Sequence, residues 1–191
     1  MKKILFLFIL FFLSGCQFAG TLLNAGHKAY NILADDRQLS DDLSDIQINL
    51  NVREALTRQI PTLAIDVEVT VFEGEVLLTG AIPNTDVIHT ILTATWSVPG
   101  VRKVYNYIRL ASAPDIQDIS LETAKAMQIK AELAVTTGIE SANYKLILEN
   151  GTVYLMGICS SETEYQSVLA VLKNTDGVEQ IVPLMRQTLE D

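Results

Sequence analysis

Cysteine, histidine and basic charge are scarce in this chain. Two cysteines among 191 residues exclude a small domain stapled together by disulfides. Two histidines, His27 and His89, leave no imidazole cluster for a metal site of normal multi-ligand geometry. A Ser-His-Asp triad would have to recruit His89, and no nearby serine sits in an elbow motif. A glycine-rich phosphate loop is missing as well. No enzymatic activity, cofactor or metal is therefore expected. With 14 Lys+Arg against 23 Asp+Glu and a net charge of -9, the chain lacks the basic footprint that nucleic acid requires. The same sign opposes a general attraction to anionic lipid. A local basic patch stays compatible with it, because exposed charges are screened beyond about 8 Å at physiological salt. A content of 19% charged and 49% hydrophobic residues excludes an intrinsically disordered chain. Long apolar runs are lacking too. The run over residues 4–13 spans about half of a ~30 Å hydrocarbon core, too little for a membrane-crossing helix.

What that run does fit is the apolar segment of a secretory signal, because Lys2 and Lys3 precede it. Five of the six phenylalanines lie at positions 6, 8, 11, 12 and 18, leaving only Phe72 beyond. The hydrophobic excess is thus concentrated in a targeting segment. The next residues, Leu13-Ser14-Gly15-Cys16, resemble the lipobox of bacterial lipoproteins. The resemblance implies that residues 1–15 are a signal peptide and that Cys16 becomes an acylated N-terminus carrying palmitate-type chains. One acyl chain anchors only marginally, whereas several give a stable anchor. Gln17 in place of aspartate resembles an outer-membrane address under the sorting rule of enteric-type lipoproteins; the inner membrane is the alternative where sorting differs. Lipidation of Cys16 leaves Cys159 without an intramolecular partner. Within its apolar stretch Cys159 reads as a small buried hydrophobe, with no base nearby to activate it. Residues 16–44 read as the lipidated N-terminus and a spacer, with one short helical stretch near residues 22–33.

Beyond the spacer the chain repeats itself at a constant offset of 77 residues, without a gap. Val52 and Leu56 match Ile129 and Leu133. Val67, Val69 and Val71 match Tyr144, Leu146 and Leu148. Gly74, Val76 and Gly80 match Gly151, Val153 and Gly157, and Gly100-Val101 matches Gly177-Val178. In the first copy, residues 45–58 carry apolar side chains at helical spacing, and Pro61 follows. Residues 65–71 alternate strictly, as a strand with one buried face does. Glu73-Gly74 reads as a tight turn into a second strand over 75–81; Asn150-Gly151, at the same point of the second copy, is a strong hairpin signal. A helix over 85–97 follows, with Asn84 as its cap, and then a third strand over 101–110. The second copy repeats this with a helix over 161–174 and a strand over 178–185. Each unit is α-β-β-α-β, and residues 111–118, with Pro114, read as a linker.

A unit of this size is marginal alone, so packing of the copies against each other is expected. Trp96, the single tryptophan, reads as core or as part of that contact. Glu73 and Glu75 read as solvent-facing turn acids, and the repeated glycines as structural.

The repeat resembles the BON domain of bacterial envelope proteins. The carrying residues are Glu73-Gly74-Glu75-Val76-Leu77-Leu78-Thr79-Gly80 and Gly100-Val101 with Val104-Tyr105-Asn106. In the second copy they are Glu149-Asn150-Gly151-Thr152-Val153-Tyr154-Leu155-Met156-Gly157 and Gly177-Val178. Lipobox, spacer and two such units together resemble the dual-BON outer-membrane lipoproteins. The resemblance implies an α+β fold of two tandem BON domains, residues 45–110 and 119–188, each with a three-stranded sheet packed on two helices. It implies a non-enzymatic periplasmic role: binding phospholipid and supporting outer-membrane integrity. It also implies that the first helix of the second domain, residues 121–135, contacts lipid. Ile129 and Leu133 face inward there; Lys125 and Lys130 flank Met127, so these three could meet phosphate headgroups and insert shallowly. Against this stand Glu122 and Glu132, the lack of an interfacial aromatic, and nine acids against five bases over residues 118–187. Two competing functions remain: a protein-binding adaptor that docks an envelope machine and uses the anchor only for localisation, and a passive spacer without a ligand.

Overall fold

Two hairpins with the same turn organise the molecule. In the computed structural model, which describes residues 36–111 and 116–188 with the side chains of 36–43 and 116–119 excepted, β1 (Val67–Phe72) pairs antiparallel with β2 (Glu75–Ile82), and β5 (Tyr144–Glu149) with β6 (Thr152–Cys159). The expectations for the signal peptide, Cys16 and His27 lie outside the described residues. Glu73 and Gly74 have φ of 46° and 72°, and Asn150 and Gly151 48° and 69°. Two successive positive φ values make the two-residue turn whose twist matches that of the flanking strands. The registers Val67↔Gly80 and Tyr144↔Gly157 are the same ladder 77 residues apart.

Helices complete each unit. α1 (Asp36–Gln59) and α2 (Thr85–Trp96) belong to the first, α3 (Ile116–Val135) and α4 (Glu162–Asn174) to the second. The capping sites are local and correspond: the Asn84 side chain accepts from the Asp86 amide, and Ser161 from the Glu164 amide. α1 and α3 both start earlier than their apolar spacing indicates, inside the stretches read as spacer and linker. Neither proline nor glycine interrupts residues 36–59 or 116–135.

The third strand runs parallel to the second. In the second unit it is unbroken, β7 (Gln180–Gln187) against β6. In the first, the strand expected over 101–110 is split into β3 (Lys103–Asn106) and β4 (Arg109–Leu110), both paired with β2. The Asn106 side-chain oxygen accepts from the Ile108 amide at 3.2 Å, a local bond that competes with the ladder. Each unit is thus α-β-β-α-β, an α+β arrangement.

Three cores result. Ile48, Val52 and Leu56 of α1 pack on Val67, Val69, Val71, Val76 and Leu78, with Ile91 from α2. Ile129 and Leu133 of α3 pack on Leu146, Leu148, Val153 and Leu155, with Val168 and Leu172 from α4. The third core lies between the two sheets. Leu77, Tyr154 and Met156 are buried there, with Phe72, Tyr105, Tyr107, Ile147, Val182 and Leu184 around them. Strand alternation explains it: Val76 and Leu78 face the helices, so Leu77 faces the other sheet. The Tyr107 and Tyr154 rings meet at 4.9 Å between centroids, tilted by 54°, a favoured aromatic geometry. Burying one such aliphatic or aromatic side chain contributes about 1.5–3 kcal/mol.

Charges frame this sheet-to-sheet contact. Arg186 reaches Glu73 at 2.5 Å and Glu75 at 3.9 Å. Lys145 donates to the Val71 carbonyl at 2.7 Å and lies 3.8 Å from Asp45. Glu149 accepts from the Gly80 amide at 2.7 Å and pairs with Arg109 at 3.1 Å. Glu73 and Glu75 are therefore not free turn acids. Glu75 also accepts from the Tyr105 hydroxyl at 2.7 Å. Their cation belongs to the other copy, 113 residues away from Glu73, beyond the reach of local pattern. Trp96 is corrected as well: it is 52% exposed at the end of α2 and joins none of the three cores.

Candidate lipid-contacting helix

α3 packs on β5 and α4 through one face. Ile129 and Leu133 are buried there, Ala126 is half-buried, and Glu122 is turned to the same side. The Glu122 carboxylate accepts from the Asn150 amide at the hairpin turn. Burial, and then the nearby Glu149 charge, push its pKa up against that hydrogen bond. The first unit does the same 77 residues earlier: Asp45, buried on α1, accepts from the Glu73 and Gly74 amides at 2.6 and 2.8 Å. Each first helix thus clamps its own hairpin with a carboxylate. Sequence reasoning missed this pair, although the offset that aligned the valines and glycines aligns Asp45 with Glu122.

The opposite face of α3 is open. Leu121, Met127 and Val135 are 58%, 68% and 82% exposed, with Ala124, Ala131 and Ala134 exposed among them. At about 100° per residue, Lys130 lies about 60° from Met127 and Lys125 about 160° away in the other direction. The two lysines, both exposed, therefore border the apolar face from opposite sides. The Lys125 ammonium also lies against the backbone at Gly177. Between these borders α3 carries one acidic side chain among the described residues, the exposed Glu132, about 140° from Met127 and about 20° inside Lys125. Of the three residues singled out from sequence, Met127 is central and Lys125 and Lys130 are marginal. Leu121 and Val135 went unnoticed; a wheel drawn opposite Ile129 and Leu133 would have found them.

Other titratable groups are used structurally. Glu164 is buried and accepts from the Glu140 and Ser160 amides, the Ser160 hydroxyl and the Tyr144 phenol at 2.7–2.9 Å. Burial opposes its charge, but these donors outweigh burial and bring its pKa down to about 2. Burial, and then the Glu164 contact, push the Tyr144 phenol well up. Cys159 is buried and free, its thiol facing the Arg186 carbonyl at 3.3 Å, and burial raises its pKa. His89 is exposed on α2. Among the described residues, no cluster of three His, Cys, Asp or Glu could hold a metal ion. No helix among them is long and apolar enough to cross a membrane.

The architecture defines a class: a tandem of α-β-β-α-β units stacked sheet to sheet. A family model of the BON domain matches residues 44–112 and again 122–188, and the chain belongs to the BON domain family. It is 26% identical over 176 residues to the outer membrane lipoprotein DolP of Haemophilus influenzae, covering 92% of this chain and 90% of that one. An uncharacterised protein of the gshII 5′ region of Anaplasma centrale is 34% identical over 121 residues, covering 63% of this chain and 80% of its own. A 21 kDa hemolysin of Actinobacillus pleuropneumoniae is 26% identical over 119 residues, covering 62% and 61%.

Proposed function

We propose that this chain is a non-enzymatic lipoprotein of the outer membrane, anchored at Cys16 and facing the periplasm. Its second BON domain contacts anionic phospholipid through the outer face of α3 and thereby supports the integrity of the membrane. The observation that carries the reading is the exposed apolar row of Leu121, Met127 and Val135, bordered by Lys125 and Lys130. An apolar strip flanked by lysines suits the boundary between headgroups and acyl chains: the apolar residues enter shallowly and the long amines reach phosphate. Likeness to DolP over most of both chains and the residues Leu13-Ser14-Gly15-Cys16 support the address. Glu122 does not weigh against the reading, since its carboxylate is taken up by the Asn150 amide. An acyl anchor makes the helix contact intramolecular, with effective concentrations up to the millimolar range, so a weak site suffices.

A soluble form beginning at Gln17, titrated by NMR with anionic and then zwitterionic micelles, tests it. Shifts are expected over residues 121–135 and stronger with anionic lipid. Each lysine near the surface contributes about 1 kcal/mol, so Lys125→Ala/Lys130→Ala should weaken binding by about 30-fold. Met127→Asp should do so by at least about tenfold. Silence on α3 with both lipids would end the reading.

The adaptor alternative has one observation in its favour. Ile46 and Leu50, one turn apart on α1, are 56% and 57% exposed. If Ile46→Ser/Leu50→Ser abolished envelope protection while vesicle binding persisted, the docking surface would be α1.

A further inference from the structure

The sheet-to-sheet contact is not filled along its whole length. A cleft of about 380 Å³ opens where the beginning of β1 and the end of β2 face the inner flank of α3 and the edge strand β5. Thr79 lines it. This residue follows Leu77 on the same face of β2, and it is 1% exposed, yet its hydroxyl has no hydrogen-bond partner. A buried hydroxyl without a partner is costly to keep. The second unit makes the departure plain. The position equivalent to Thr79, again 77 residues on, is Met156, which is buried in the contact between the sheets. Where one copy fills the sandwich, the other leaves room and a polar group.

The remaining lining has two characters. Ile65, Leu146 and Leu148 supply aliphatic wall, and Asp66 and Glu68 supply negative charge; of the other two acids there, Glu149 is paired with Arg109 and Glu122 accepts from the Asn150 amide. Glu68 has an exposed partner, Arg53, at 3.3 Å. Among the described residues that line the cleft, none is basic. A cleft of this size lies in the range of small-molecule sites, which pair apolar walls with a few placed polar groups.

We propose that this cleft binds a small amphipathic organic cation: an amine placed against Asp66 and Glu68, an apolar body along Leu146 and Leu148, and a hydrogen-bonding group at the Thr79 hydroxyl. The site is separate from the outer face of α3. An anionic lipid headgroup would meet carboxylates here, so it is not the phospholipid surface under another name.

Three probes of one shape test each part. Tyramine has both the amine and a hydroxyl, phenethylamine lacks the hydroxyl, and hydroxyphenylpropionate reverses the charge. Each is titrated into the full-length protein, following the amide resonances of Thr79, Gly80 and residues 146–148. Tyramine should give saturable shifts there, with a Kd on the order of a millimolar. Phenethylamine should bind about fivefold more weakly. Hydroxyphenylpropionate should bind at least about tenfold more weakly than tyramine. Thr79→Val should erase the difference between the two amines. Asp66→Asn, at a half-buried position of the cleft, should weaken both amines without disturbing the fold. Equal binding of all three probes, no saturable binding, or shifts confined to Leu121, Met127 and Val135 would each overturn the proposal.

Discussion

The two BON units differ least where they face their own cores and most where they face outward. Val52 and Leu56 on α1 correspond to Ile129 and Leu133 on α3, and all four are buried. The clamp of helix carboxylate on hairpin amides is also shared, Asp45 in one unit and Glu122 in the other. Trp96 corresponds in the repeat to Lys173, both exposed, and Thr79 to the buried Met156. The frame of one domain was thus written twice, while its outer positions were left free to diverge. Both candidate sites use divergent positions: Leu121 and Val135 on α3 correspond to Ser44 and Arg58 on α1, and the cleft between the units opens at Thr79, where the second copy has Met156.

The largest effect should come from the contact that the units share. Leu77→Asp places a charge between the sheets, at a position that is 1% exposed, and should cost about 4 kcal/mol. Urea unfolding followed by tyrosine fluorescence should then split into two steps, the second unit outlasting the first. A single transition with an unchanged midpoint would mean that the sheets hold together without this contact.

Next comes a difference in acid sensitivity. Glu164 has its pKa lowered from 4.5 to about 2, so its contribution is fully present above about pH 5. It is lost as pH falls from there towards 2, because the unfolded chain takes up the proton first. At neutral pH it is worth on the order of 3 kcal/mol. Glu164→Gln should lower stability by that amount at pH 7 and flatten the pH dependence of the midpoint between about pH 5 and 2. An unchanged slope in that window would remove Glu164 as its source. The first unit has Val87 at the equivalent position, so the acid-labile half should be the second.

The smallest difference concerns the two clamps. Asp45 is 4% exposed and holds two amides, whereas Glu122 is only half-buried. Asp45→Asn should cost about 2 kcal/mol and Glu122→Gln about 1 kcal/mol. Amide hydrogen exchange at Gly74 and Gly151 reads each clamp directly. Equal protection losses would make the two clamps equivalent despite their burial.

Much of the fold was legible because its signals are local. Alternation over 65–71, the Glu73-Gly74 and Asn150-Gly151 turns and the cap at Asn84 each act within a few residues. The repeat made every one of them count twice. Other features depend on distant partners. Glu73 and Glu75 look like solvated acids until Arg186 is brought beside them by the stacking of the sheets. Trp96, read as core or as part of the contact between the copies, corresponds to Lys173, and that counterpart indicates an outward position. On the candidate helix, Met127, Lys125 and Lys130 follow from the family resemblance, which points to the helix, and from their residue types. Leu121 and Val135 needed the helix phase that the buried Ile129 and Leu133 define. The Thr79 cleft was not legible at all, since it arises from what the facing sheet fails to fill.

Cys159 has one consequence for studying the protein at work. It is completely buried under the end of β7, with its thiol against the Arg186 carbonyl, and in a form beginning at Gln17 it is the sole thiol of the chain. A maleimide can reach it only when the second unit opens. The rate of labelling therefore works as a clock for that opening, blind to events in the first unit. Run with and without vesicles, it reports whether seating α3 on a bilayer slows the breathing of the domain that carries it.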